Sequence, residues 1–228
     1  MPEGNFFHYD QAAVDHLARK DKKLAAAMQA IGPVRREVMP DLFQALMHAI
    51  TGQQISMAAQ RTVWGRLCGL LGEVTPQALL AQPQTALQAL GLSARKVDYM
   101  RGIARQVVDG ELNLPGMAAL EDAEVCRRLA ALRGIGVWTA EMLLLFSLQR
   151  PDILSYDDLA IRRGLRMLYR HKEMPRERFE RYRRRFSPYG SLASLYLWAI
   201  AGGALPELDD PAERKRGRPR PAASLKSR

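Results

Sequence analysis

"LRGIGVWTAEMLLL", residues 132–145, is the stretch on which the reading of the chain turns. Gly134 and Gly136 flank a single isoleucine, Trp138 follows, and an apolar run begins. Glycine reaches positive φ at little cost and has no Cβ, so the pair admits two readings. One is an αα-hairpin whose glycines merely permit a sharp turn. The other is a turn that aims successive N–H groups outward, at the positive end of a helix dipole, to grip a phosphate. In both, Ile135 is expected to point into the groove between the two helices. The turn by itself leaves the choice open.

Working outward, a period near 3.6 residues recurs almost everywhere and predicts an all-α fold. "AAVDHLARKDKKLAAAMQAIG" reads as one helix stopped by Gly32 and Pro33. "PDLFQALMHAITG", "SMAAQRTVWGRLCGLLG", "TPQALLAQPQTALQALG" with a break at Pro83, and "SARKVDYMRGIARQVVDG" follow. "LEDAEVCRRLAALRG" runs into the glycine pair and "VWTAEMLLLFSL" leaves it, before "DDLAIRRGLRMLYR", "PRERFERYRRRF" and "SLASLYLWAIAGG". Segments 139–148 and 192–201 are apolar on every side, which predicts two central helices.

The 228 residues suffice for a substantial core, and 47% hydrophobic with 25% charged residues is ordinary for a globular chain. The longest apolar run, 142–146, is far too short for a membrane span, and the opening "MPEGNFFHYD" lacks the pattern of a secretion signal. Cys68 and Cys126 are too few for a disulfide framework or a four-thiolate iron–sulfur cluster. A reducing, cytoplasmic setting is expected. The net charge of +10 is concentrated: residues 214–228 hold seven basic side chains and no acidic one, and residues 162–185 hold eleven against three. Such blocks suit a polyanion, or else a solvated helix face followed by a basic tail. The domain organisation expected is a helical core over 1–213, with about 50–150 as the hairpin-bearing lobe and the N- and C-terminal helices sharing the other. The basic tail is 214–228.

Four stretches in order, "FQALMHAITGQQIS" (43–56), "LGLSARKVDYM" (90–100), "LRGIGVWTAEMLLLFSL" (132–148) and "DILSYDDLAIRRGL" (152–165), carry a resemblance. The chain resembles the helix–hairpin–helix DNA glycosylases, specifically the bacterial 3-methyladenine DNA glycosylase II group, over roughly residues 10–205. The resemblance implies two helical lobes with an active-site cleft between them, double-stranded DNA with damaged bases as partner, and a monomer associated with the nucleoid. It also implies a monofunctional enzyme that flips out alkylated purines such as 3-methyladenine and 7-methylguanine and hydrolyses their N-glycosidic bond to begin base-excision repair. The separate N-terminal β-domain of longer relatives is not expected here.

Hydrolysing that bond develops positive charge on the sugar, which calls for an ionised carboxylate beside it. "SYDDLAIRRG" offers Asp157 and Asp158 at a helix start, where Asp is also an ordinary cap. The family pattern selects Asp158 as the catalytic residue and leaves Asp157 to cap or orient. By the same match Gly134, Gly136 and Thr139 supply donors to a backbone phosphate, with Arg162 and Arg163 (and Arg166) neutralising phosphates nearby. Trp138 and Trp198 become the aromatic walls of a pocket for cationic bases, where cation–π attraction contributes about 0.5–2 kcal/mol each. Tyr156 joins them, and Met142 stands where some relatives have tyrosine; plain core packing is the alternative for Trp198. Gln54, with Gln53, matches the wedge that fills the gap left by an extruded base, or else both cap the helices around them.

Members that also cut the strand carry a lysine two residues after the second glycine. Trp138 occupies that position, so no lyase activity is expected. No cofactor is needed for catalysis, although the resemblance allows a sodium or potassium ion on carbonyls near Leu132 and Gly134. In the tail, Arg216, Gly217 and Arg218 form the core of an AT-hook-like segment that would enter the minor groove. The alternatives are a glycosylase of the same fold acting on deaminated or oxidised bases, and a DNA-binding protein without catalysis.

Overall fold

The computed structural model describes residues 5–213; the AT-hook-like Arg216, Gly217 and Arg218 lie outside them. The described residues form twelve α-helices and a short 3-10 turn at Pro115–Ala119. Among them there is no strand, only an isolated antiparallel bridge between Phe6 and Glu37. None of these helices is long and apolar enough to cross a membrane.

The chain divides into two compact units. The first, built from residues 5–9 and 35–153 of the described chain, holds α3 (Leu42–Gly52), α4 (Met57–Leu71), α5 (Pro76–Ala81), α6 (Gln84–Ala89), α7 (Ala94–Val108), α8 (Asp122–Ala130) and α9 (Val137–Phe146). Ser56, Thr75 and Ser93 start α4, α5 and α7 by accepting the amides of Ala59, Ala78 and Lys96, as side-chain caps do. Leu46, Ile50, Leu67, Leu79, Leu87, Val97, Met100, Val125 and Leu129 are sealed from solvent and form its core. The second unit, residues 10–34 and 154 onward, holds α1 (Gln11–Lys20), α2 (Lys22–Ile31), α10 (Leu159–Tyr169), α11 (Arg176–Phe186) and α12 (Gly190–Ala201).

Two expectations from periodicity are corrected. The helix expected to run to Gly32 is broken at Asp21, whose φ of −149° is extended. Its N–H closes α1 on Leu17 O, and its Oδ1 accepts the Lys23 and Leu24 amides to start α2. A charged residue inside a helical pattern conceals such a double cap, because a helix interior and a capped break look alike in period. The second correction concerns α9, expected to be apolar on every side and buried. Within 139–148, Thr139, Met142, Phe146 and Leu148 are half-buried, and just ahead of that span Val137 and Trp138 are 50% and 46% exposed. Its apolar outer face lines a cavity rather than core. α12 does follow expectation: Gly190 to Leu197 and Ile200 are buried.

In the second unit α10 and α12 approach very closely at Gly164. A Cβ there would lie 2.3 Å from Leu197 O, inside van der Waals contact with rigid backbone. The missing side chain is what lets the two helices meet, and Leu197 is followed directly by Trp198.

Candidate functional site

The hairpin joins α8 to α9 through residues 131–136. Gly134 has φ of +89°, and a Cβ there would stand 2.3 Å from the Tyr99 ring, so both backbone and packing demand glycine. Ile135 is buried at 5% exposure. Gly136 is different: its φ of −93° is open to any residue, and a Cβ on it would meet nothing within 4 Å. No feature of this chain's own packing requires that second glycine. Gly136 precedes α9, which has no side-chain cap hydrogen bond at its start. A helix opening without a cap, under a residue with no side chain, is a place where an anion can approach amides closely.

Gln53 does not point outward as a wedge would. It closes α3 and donates its Nε2 to Gly134 O at 2.6 Å, tying the loop after α3 to the hairpin. Gln54 is the exposed member, held at φ +58°, with Ile55 and Met57 beside it at 39% and 80% exposure. Of the two glutamines expected as a wedge, only Gln54 is exposed. The two carbonyls suggested for a monovalent cation are each engaged: Leu132 O accepts the Ile135 N–H at 3.0 Å, and Gly134 O accepts Gln53. One lone pair on each is left, a thin donor set for a sodium or potassium ion.

A cavity of about 830 Å³ opens in the same unit, lined by Gln53, Gln54, Gly134, Trp138, Thr139 and Met142 among the expected residues. His48, Gln60, Lys96, Tyr99 and Phe146 complete much of the wall. None of these five carries a mark of function in the sequence, although His48, Lys96, Tyr99 and Phe146 all lie within the four motifs. Lys96 Nζ donates to Thr51 O at 2.9 Å, and burial lowers its pKa. The His48 ring stands edge-on to Trp64, with centroids 5.0 Å apart, and burial lowers its pKa as well. A smaller cavity of about 580 Å³ shares Met39, His48 and Phe146 with the first.

The second unit positions the carboxylate. Asp158 is the N-cap of α10 and only 6% exposed. Its Oδ1 accepts the Ile161 N–H at 2.8 Å and the Trp198 Nε1–H at 3.1 Å. Asp157 is exposed and the cap bond belongs to Asp158, so the expectation that Asp157 caps the helix is corrected. Trp198 is half-buried rather than sealed in the core, and its indole N–H meets Asp158 Oδ1. Tyr156 is occupied: Arg162 and Arg176 guanidinium carbons lie 4.9 and 5.0 Å from its ring centre, and Phe179 meets its edge.

The basic block sorts into roles that composition could not separate. Arg163 pairs with Asp210 at 3.9 Å and Glu213 at 3.4 Å, and Arg166 grips Asp210 through Nε at 3.0 Å and through Nη2 at 2.5 Å. Arg185 donates to Asp21 at 2.7 Å, and Arg176 and Arg183 flank Glu180. Much of the charge expected on DNA is thus spent inside the unit.

Residues 47–188 match the model of the HhH-GPD superfamily of base excision DNA repair proteins. The chain is 30% identical over 191 residues to DNA-3-methyladenine glycosylase 1 of Schizosaccharomyces pombe, covering 80% of this chain and 84% of that protein. Its fold matches the crystal structure of a DNA-3-methyladenine glycosidase from Bacillus halodurans with a TM-score of 0.79 and 33% identity, covering 89% and 95% of the two chains. It also matches a Schizosaccharomyces pombe 3-methyladenine DNA glycosylase in complex with abasic DNA, with a TM-score of 0.73 and 29% identity, covering 83% and 96%.

Proposed function

The chain belongs to the HhH-GPD superfamily of base excision DNA repair proteins, and from that premise we propose that it hydrolyses the N-glycosidic bond of alkylated purines in duplex DNA. Lesions such as 3-methyladenine and 7-methylguanine carry a formal positive charge as nucleosides and leave without prior protonation. The demand on the protein is then to stabilise the sugar cation rather than to act as an acid. Asp158 suits that demand, and its fixed carboxylate is the observation that carries the reading. A backbone amide and an indole N–H both donate to its Oδ1 at the start of α10. Preorganised charge of this kind needs no rearrangement as the bond breaks.

In this reading the hairpin amides near Gly136 and the Thr139 hydroxyl take a backbone phosphate, while Trp138 and Met142 line the space for the base. Extruding the base costs a few kcal/mol, least at damaged pairs, and Gln54 would fill the vacated place. Trp138 stands where strand-cutting relatives have lysine, and an indole cannot form a Schiff base, so the product is an abasic site. A monovalent cation at the hairpin would have to share Gly134 O with the Gln53 amide. The basic tail adds sequence-independent affinity for DNA. The protein acts as a monomer on the nucleoid.

The experiment is incubation with duplex carrying a single 3-methyladenine or 7-methylguanine, followed by hot alkali. Strand breaks that need the alkali, and that disappear in Asp158→Asn, are the expected result. Breaks without alkali would contradict the single activity. An equally active Asp158→Asn protein would show that another group does the chemistry.

A further inference from the structure

We propose that the Gln60 carboxamide and the His48 imidazole form a hydrogen-bonding edge in the first unit's cavity that selects 6-amino purines over 6-oxo purines. The inference rests on the glycosylase reading and assigns the choice of base to two residues outside the expected pocket.

The orientation of Gln60 is fixed by its surroundings. Its Nε2 donates to His48 O at 3.0 Å, and a carbonyl can only accept, so the nitrogen end of the amide must face that oxygen. The carboxamide is also wedged against Gly52, where a Cβ would come within 2.4 Å of it. Gln60 lines the cavity, and its Oε1 is left as an acceptor that no donor among the described residues engages. His48 is adaptable. Both of its ring nitrogens lie 3.3–3.4 Å from the same Gln60 Nε2, a placement in which neither makes a well-aligned hydrogen bond. Burial favours the neutral ring, which offers one donor and one acceptor and can exchange them by changing tautomer.

A locked acceptor beside an adaptable partner discriminates at one atom. A 6-amino group donates to Gln60 Oε1, and a purine ring nitrogen takes the His48 N–H. A 6-oxo group in the same pose sets oxygen against oxygen and strands a half-buried acceptor. Loss of one such hydrogen bond reduces affinity by about tenfold.

Free 3-methyladenine and 3-methylhypoxanthine differ at position 6 and in the ring N–H that the oxo base carries, which the other His48 tautomer meets, and titration calorimetry on the full chain measures both without any catalytic step. Binding of 3-methyladenine about tenfold tighter than 3-methylhypoxanthine, with the difference abolished in Gln60→Leu, is expected. His48→Phe keeps the ring against Trp64, so it should weaken both bases alike and leave their ratio standing. Equal binding of the two bases by the wild-type protein overturns the proposal, and so does an unchanged ratio in a folded Gln60→Leu protein. Excision of alkylated purines from duplex DNA, measured in parallel, separates the two readings. Excision without base preference would sink this inference alone and leave the glycosylase standing.

Discussion

At the scale of single residues, Asp158 and the two hairpin glycines make the sharpest predictions. Asp158→Asn keeps a side-chain oxygen at the helix cap, so stability should change by less than about 1 kcal/mol. Base excision should fall by a factor on the order of 10²–10⁴. A denaturant melt beside a single-turnover assay separates the two effects. Trp198→Phe retains apolar bulk but removes the N–H on Asp158 Oδ1, and excision should drop roughly tenfold with little change in melting. The glycines should divide. Gly134→Ala meets both a positive φ and the Tyr99 ring, costing about 1–3 kcal/mol of stability. Gly136→Ala meets nothing within the chain, so it should leave the melt unchanged and weaken DNA binding, read by fluorescence anisotropy. Loss of stability in the second variant with intact binding would overturn the phosphate assignment. Asp158 at a helix start was legible because a cap carries a local motif with it. The Trp198 bond was not, since it spans 40 positions and no periodicity encodes a contact between helices. His48 and Gln60 were missed for a related reason, as a half-buried polar residue in an apolar helix looks like surface from sequence alone.

At the scale of helices, Gly164 should be intolerant for a reason of distance rather than conformation. Alanine there would push α12 away from α10 by way of Leu197. Gly164→Ala should destabilise the protein by about 1–3 kcal/mol, and because Trp198 follows Leu197 it should also reduce excision more than the stability loss alone explains. The clamp that Arg163 and Arg166 place on Asp210 has a pH signature. Burial works against ionisation of Asp210, but hydrogen bonds from Arg166 and the Ala212 amide, with the nearby charge of Arg163, leave its pKa lowered from 3.8. A lowered carboxylate pKa contributes stability above the unfolded value, which is lost as pH falls below about 3.8 through the folded pKa. Wild-type and Asp210→Asn melting temperatures should accordingly differ at neutral pH and converge in strong acid. Helix existence was largely written in the sequence, whereas the break at Asp21 was not. The cap there is recognisable only once Arg185 and the amides of α2 are seen around the same carboxylate.

For the molecule as a whole, the all-α class followed from periodicity, and the family from four motifs in order. The grouping of α1 and α2 with α10 to α12 could not have come from periodicity, which is silent on which distant helices pack together. The excess of arginine over acid in residues 162–185 likewise promised more free charge than the folded unit presents. The tail should then carry a large share of non-specific DNA affinity. Deleting residues 214–228 should flatten the dependence of log K on log salt, as expected when counterion-releasing contacts are removed. Finally, Met39, His48 and Phe146 border two adjoining hollows, of about 830 and 580 Å³. A partition made of side chains is removable. Trimming the imidazole in His48→Ala should throw both chambers into one, and the enlarged room should accept purines bearing alkyl groups far longer than methyl, which the parent protein would shut out.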